Sequence, residues 1–207
     1  MKLYYAPGTC SLSPHIVARE AGLPLTLVRV DNKNKKTDSG EDYRAIQPKG
    51  YVPLLELDNG ARLSEGPAIV QYLADLAPAA RLAPANGTFE RYQLQEWLNF
   101  ITSEVHKQFS PLFDATMPEE AKEKFRNKLA TRFDWIVEQL QDRDYLMGSF
   151  TVADAYLFVV LRWTKFTGPD LAHWSALQAA RRLPSFRQQC RRLHRQRSRR
   201  RRQPQQR

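Results

Sequence analysis

A small mixed α/β domain followed by an all-helical domain is the fold this sequence predicts, on two observations and the break between them. Residues 1–78 alternate short apolar strands with helices, first βαβ and then ββα, and the last two strands flank an Asn-Gly turn. From residue 88 onward the apolar spacing is helical. Between them, residues 79–87 are rich in Pro and Ala, keep neither period and read as a linker.

Each element has its own local cause. Lys2–Tyr5 is a short apolar strand stopped by Pro7-Gly8, after which Ser11 and Ser13 are expected to cap a helix running through Ile16 and Val17 to Gly22. Residues 25–30 alternate and are β-rich, residues 32–40 form a lysine-bearing polar loop, and Tyr43–Ile46 is a short helical patch. Residues 53–57 and 61–63 are strands around Asp58-Asn59-Gly60, and residues 65–76 turn helical with Ile69, Leu73 and Leu76 on one face. A parallel βαβ joined to an antiparallel hairpin implies a mixed sheet with helices on its faces.

The helical domain, residues 88–193, opens with one long helix over residues 89–109, whose Leu94, Trp97, Leu98, Ile101 and Val105 form a single stripe. Pro118-Glu119-Glu120 begins a second helix that runs to about Leu140, with proline and acids where the first turn favours them. Thr151 and Asp154 form a short-armed capping box ahead of the apolar run 155–161, a structural use of that acid.

The chain has 207 residues, 42% hydrophobic and 26% charged, enough for a real core. Its net charge of +10 invites a nucleic-acid reading until it is located. Residues 181–207 hold twelve Arg, no Lys and no acid; without them 20 basic residues stand against 22 acidic ones. The body is slightly acidic. The tail, residues 194–207, is expected to be disordered by self-repulsion, and an all-Arg composition mixed with Gln, Pro and Ser is what a GC-rich gene yields in a shifted frame. No nucleic-acid partner is expected beyond non-specific retention by this tail. No run of 18 apolar residues occurs and the first residues lack a signal-peptide core, so no membrane partner and a cytoplasmic location are expected. Cys10 and Cys190 are too few for a disulfide framework or an unaided zinc site, and no metal is expected.

Several stretches together resemble a family. Tyr-Tyr-Ala-Pro-Gly-Thr-Cys-Ser-Leu-Ser-Pro-His at residues 4–15, Gln-Pro-Lys-Gly-Tyr-Val-Pro-Leu-Leu at 47–55, Leu-Ser-Glu-Gly-Pro-Ala-Ile at 63–69, Glu-Trp-Leu-Asn-Phe at 96–100 with Glu104, His106 and Lys107, and Phe-Thr-Val-Ala-Asp-Ala-Tyr-Leu at 150–157 are similar, in order, to a bacterial beta-class glutathione S-transferase. The resemblance covers roughly residues 1–175. It implies a thioredoxin-like N-terminal domain, an all-α C-terminal domain, a homodimer, a detoxifying role and glutathione as co-substrate with no metal. Gln47 departs from the Asn common before Pro-Lys-Gly, a change expected to be tolerated on a turn.

The residues support a site beside the resemblance. A Val52-Pro53 bond in cis turns the Val52 N–H and C=O outward to pair with an extended peptide; a trans bond merely starts an edge strand, and the resemblance implies cis. Glu65 and Gly66 stand where a helix begins, so a carboxylate can hold an ammonium while free amides receive a carboxylate. Cys10 lies at the mouth of the first helix, where the dipole is expected to lower its pKa toward neutrality. With no second Cys three residues on, a dithiol cycle is excluded and a mixed disulfide stays open. Asn99, Ser103, His106 and Lys107 are spaced to share one face of the long helix.

The resemblance assigns Cys10 and His106 to sulfur chemistry. It assigns Lys35, Val52, Glu65, Gly66, Asn99, Ser103, Glu104 and Val105, again with Cys10 and His106, to glutathione binding; Lys33 and Lys36 compete with Lys35, and Tyr5, Ser11 and Lys107 are neighbours. The expected activity is conjugation of the glutathione thiolate to electrophilic, mostly apolar small molecules. The alternatives are a thiol reductase or reductive dehalogenase acting through a Cys10 mixed disulfide, a non-enzymatic ligand binder, and a nucleic-acid binder using the tail.

Overall fold

The structure is a computed structural model and describes residues 1–141 and 143–180. The last stretch assigned to the helical domain, Cys190 and the tail at 194–207 lie outside the described residues.

Five strands form one sheet, β1 (Lys2–Tyr5), β2 (Thr26–Asp31), β3 (Lys36–Thr37), β4 (Leu54–Glu56) and β5 (Arg62–Ser64), in the order β3-β2-β1-β4-β5. β1 and β2 are parallel, and the other pairs are antiparallel, with Leu3 opposite Leu55 and Leu55 opposite Leu63. The hairpin closes as expected, Leu57 N–H donating to Ala61 O at 2.8 Å and Ala61 N–H to the Asn59 side chain at 3.0 Å. β3 was expected as loop. Its two residues carry no apolar alternation, and only pairing with Val30 and Asp31 makes them a strand.

Helix α1 (Leu12–Glu20) and helix α3 (Gly66–Asp75) pack together on one face, and α2 (Tyr43–Ile46) covers the other. Ser11 and Ser13 do not cap α1 as expected: Ser11 Oγ accepts the Ala6 N–H at 3.2 Å and Ser13 Oγ donates to Cys10 O at 3.0 Å. Both hydroxyls are spent on the loop before the helix, which fixes the Pro7–Cys10 turn instead.

The helical half contains α4 (Phe89–Phe100), α5 (Lys107–Phe109), α6 (Glu119–Leu140), α7 (Val152–Leu161) and α8 (Ser175–Ala180). The single helix expected over 89–109 is interrupted by a π-helical stretch, Ile101–His106. Thr102 Oγ donates to Leu98 O at 2.7 Å and Ser103 Oγ to Asn99 O at 3.1 Å. These hydroxyls occupy the carbonyls that α-helical amides would use, which favours the wider turn.

The capping box forms: Asp154 accepts the Thr151 N–H at 2.8 Å and also the Leu146 N–H at 2.9 Å, which ties down the loop before α7. α7 is buried almost throughout and packs against α1 and α3, so one apolar core runs from Ile16, Val17 and Leu73 to Leu98, Val105 and Leu157. A second, smaller cluster around Tyr4, Val30, Tyr43 and Leu54 fills the α2 face. No helix of the described residues is long and apolar enough to cross a membrane.

Arg91, only 4% exposed, fastens the two halves. It donates to both Asp75 carboxylate oxygens at 2.9 and 2.7 Å, to the Gln71 side chain at 3.1 Å and to Pro84 O at 2.8 Å. Replacing it by Met strands these acceptors. Because Asp75 can rehydrate, Arg91→Met is expected to cost about 2–3 kcal/mol in urea unfolding, the lower end for a buried pair; a loss below about 0.5 kcal/mol would mean that the clasp is idle.

Candidate active site

A cleft of about 640 Å³ lies between the sheet edge and the helical half. Its floor is the Pro7–Cys10 turn and the Val52-Pro53 loop; its far wall comes from the π turn and α7. The Val52-Pro53 bond is cis, and the loop is held from below by the fully buried Tyr43, whose hydroxyl donates to Tyr51 O at 2.8 Å.

Cys10 is half-buried and its thiol donates to Val52 O at 3.6 Å. The expected lowering of its pKa does not occur. Burial pushes the thiol up to about 11, Glu65 adds to the rise, and the backbone amide of Cys10 itself and Lys107 oppose it. The reason is one of magnitude: a helix terminus contributes about 0.3–1 kcal/mol where partly exposed, whereas removing a thiolate from water costs several pKa units. At neutral pH Cys10 is a thiol.

His106 faces the cleft from the end of the π turn. Its Nδ1 shares a hydrogen bond of 2.5 Å with the Tyr156 hydroxyl on α7, and the Trp163 ring meets it edge-on at 4.8 Å between centroids. Burial lowers the imidazole to about 4, with Lys107 in the same direction and Glu65 opposing. Burial likewise raises the Tyr156 hydroxyl above its ordinary range. Both groups are neutral at pH 7. Trp163 N–H donates to Gly8 O at 2.8 Å, bridging the helical half to the turn that carries Cys10.

The rim is charged. Lys35, Lys49 and Lys107 line it, with Glu65 as the one acid among the lining residues. Glu65 has φ 69° just before α3 and its carboxylate accepts from Lys49 Nζ at 3.0 Å. Pro67 has no N–H, so Gly66 and Ala68 carry the free amides of that first turn. Lys35 lines the cleft and its competitors Lys33 and Lys36 do not.

Of the residues singled out in the sequence, the cleft therefore gathers Cys10, Lys35, Val52, Glu65, Gly66, His106 and Lys107. Asn99, Ser103, Glu104 and Val105 are not among the residues that line this chain's own cleft. Asn99 and Ser103 are exposed, Glu104 pairs with Arg132 at 2.8 Å, and Val105 is core. The π turn inserts one extra residue, rotating everything beyond it by about 100°, so Asn99 and His106 no longer share a face. Tyr5 and Ser11 are not among the lining residues either.

Tyr156, Trp163, Thr102, Lys49 and Phe113 line the cleft without having been singled out. Tyr156 had a signal, a phenol inside the apolar run 155–161, since a buried hydroxyl needs a partner. Among the described residues no group of three or more His, Cys, Asp and Glu is placed to hold a metal ion.

Two family models match, "Glutathione S-transferase, N-terminal domain" over residues 8–76 and "Glutathione S-transferase, C-terminal domain" over residues 119–195. Glutathione S-transferase GstA of Escherichia coli O157:H7 is 49% identical over 79% of this chain and 82% of its own. Glutathione S-transferase GST-4.5 of Xanthomonas campestris pv. campestris is 40% identical over 86% and 90%. Among solved structures, the ternary complex of BphK, a bacterial GST, superposes with a TM-score of 0.85 at 57% identity, covering 87% of this chain and 90% of that one. A sphingomonad glutathione S-transferase complexed with glutathione gives 0.83 at 44% identity over the same shares. A bacterial beta-class glutathione S-transferase of Sphingomonas chungbukensis gives 0.83 at 42%, again over the same shares.

Two outcomes test the site. The unfolded chain protonates His106 near its ordinary pKa of 6.5, the folded protein only near 4, so stability is full above 6.5 and falls as pH drops through this window. The loss is about 3 kcal/mol, and urea midpoints from pH 7 to pH 4 should fall more steeply for the wild type than for His106→Gln. Alkylation of Cys10 by a neutral reagent should be slow at pH 7 and climb about tenfold per pH unit toward pH 10, read on the Cys10 peptide by mass spectrometry. A plateau below pH 8 would show a thiolate instead.

Proposed function

The chain belongs to the bacterial beta class of glutathione S-transferases, and on that premise we propose that its cleft holds glutathione as an extended peptide along Val52, with the sulfur over Cys10 and His106. It is a glutathione transferase. The observation that carries the proposed pose is charge: three lysines and one glutamate around the cleft match a tripeptide with two carboxylates and one ammonium.

We assign the γ-glutamyl ammonium to the Glu65 carboxylate, its α-carboxylate to the Gly66 amide, the cysteinyl backbone to Val52 and the glycine carboxylate to Lys35. Lys49 then acts as a counterion that yields Glu65 when the ammonium arrives. The glutathione thiol loses its proton to solvent and its thiolate attacks an electrophilic carbon, whose leaving group departs with the bonding pair. Cys10, a protonated thiol, turns its hydrogen from Val52 O to that sulfur as a donor rather than acting as a second nucleophile. This favours conjugation over a Cys10 mixed disulfide. Phe113 and Trp163, whose rings meet at 5.8 Å, offer the apolar wall for the electrophile.

The same reading takes residues 1–78 as the glutathione-binding half, 79–87 as linker and 88–193 as the helical half of a cytoplasmic, detoxifying homodimer. Phe89 and Tyr92 are exposed on α4, and Glu96, Asn99 and Ser103 continue their stripe. We assign that stripe to the second copy, which gives Asn99 and Ser103 a use outside their own chain's cleft.

Glu65→Ala is expected to weaken glutathione binding by about 2–5 kcal/mol in calorimetry while circular dichroism stays unchanged. Unchanged affinity in the folded variant would sink the assignment. Cys10→Ala should keep most aryl-halide conjugation and lose glutathione-disulfide exchange; loss of conjugation itself would make Cys10 essential to the thiolate.

A further inference from the structure

We infer that Tyr156 is a positioning residue for His106: its hydroxyl donates to Nδ1, which leaves the ring hydrogen on Nε2 and makes His106 a hydrogen-bond donor to the substrate sulfur rather than a base. The inference rests on the glutathione reading above and deepens it.

The geometry leaves few ways to arrange the hydrogens. Tyr156 is 2% exposed and its oxygen lies 2.5 Å from His106 Nδ1. The Thr102 hydroxyl gives its own hydrogen to Leu98 O at 2.7 Å. The imidazole nitrogen is the phenol's hydrogen-bond partner in the structure and, unprotonated, a strong acceptor, so the phenol's hydrogen goes there. A ring whose Nδ1 accepts must carry its hydrogen on Nε2. Trp163 closes the ring's other side at 4.8 Å but commits its N–H to Gly8 O at 2.8 Å, so it cannot compete for either nitrogen.

The titratable and charged groups acting on the pair are Lys107 beside His106, Glu65 across the cleft, and Cys10 on the Pro7–Cys10 turn. Lys107 and burial keep the imidazole uncharged, and burial with Glu65 and Cys10 keeps the phenol uncharged. An uncharged Nε2–H interacts more strongly with a thiolate than with a thiol, because a hydrogen bond to an ionised acceptor is roughly twice as strong as a neutral one. The donor therefore lowers the pKa of the bound thiol, and no proton needs to pass through the imidazole.

The test is ¹⁵N NMR of histidine-labelled protein without ligand, joined to kinetics of Tyr156→Phe. The wild type should show His106 as a single Nε2–H tautomer, and Tyr156→Phe a mixture of the two. With glutathione and an aryl halide, Tyr156→Phe should lose about tenfold in kcat near pH 6.5, keep its KM for glutathione within about twofold, and shift the rising limb of the pH profile up by about one unit. A merely structural role would leave that limb in place. An Nδ1–H tautomer in the wild type overturns the inference whether or not the enzyme conjugates, as does a variant with unchanged rate and pH profile. A wild type that fails to bind glutathione in calorimetry overturns the underlying reading and the sulfur role with it, and the tautomer measurement, which needs no ligand, tells the two failures apart.

Discussion

The packing of α7 against α1 and α3 is the contact on which the cleft depends. Nine residues of α7 are buried, and its helix start is fixed by a carboxylate that also anchors the preceding loop at Leu146. A rigid helix shared by both halves sets the distance between the turn that carries Cys10 and the wall that carries His106 and Tyr156. Sheet and helical bundle thus share one core, and the Arg91 network and the Trp163–Gly8 bond add polar fasteners at two separate places. Closely packed interiors deform little, so the gap between the walls is fixed by the same contacts that stabilise the fold.

The floor of the cleft carries no charge at neutral pH, and the rim does. Burial raises the Cys10 thiol and lowers the His106 imidazole, opposite shifts with one cause, since desolvation disfavours whichever form is ionised. Lys49, Lys107 and Glu65 are exposed to solvent, and Lys35 lines the same cleft. The proposed pose follows this layout, with the termini of the peptide on the rim and its sulfur over the neutral floor.

What the sequence disclosed was what local chemistry decides. β1, the Asn-Gly hairpin, the proline-led start of α6 and the capping box of α7 each follow from a few neighbouring residues, and each stands where it was expected. β3 did not announce itself because its two residues owe their conformation to Val30 and Asp31 on another strand. The π turn escaped because apolar spacing assumes 3.6 residues per turn; the hydroxyls of Thr102 and Ser103 were visible, but their capture of the Leu98 and Asn99 carbonyls was not. That one turn separates Asn99 from His106, which is why only the latter lines this chain's own cleft. The Cys10 shift was misjudged for a related reason. The helix terminus is legible in a motif, whereas the desolvation that overrides it comes from residues far along the chain.

The indole of Trp163 has a further consequence. It is 7% exposed, donates to a carbonyl of the Cys10 turn and lies edge-on to His106, within the lining of the cleft. An indole held in this way emits according to its surroundings, here the fixed bond to Gly8 O, the imidazole beside it and whatever enters the pocket. Trp97 and Trp135 meet at a tilt of 47° with centroids 5.2 Å apart and Trp174 packs against Phe133, all three outside that lining. The side chain that bridges the two halves is at the same time a fluorescent gauge of the cleft's occupancy, readable without a label.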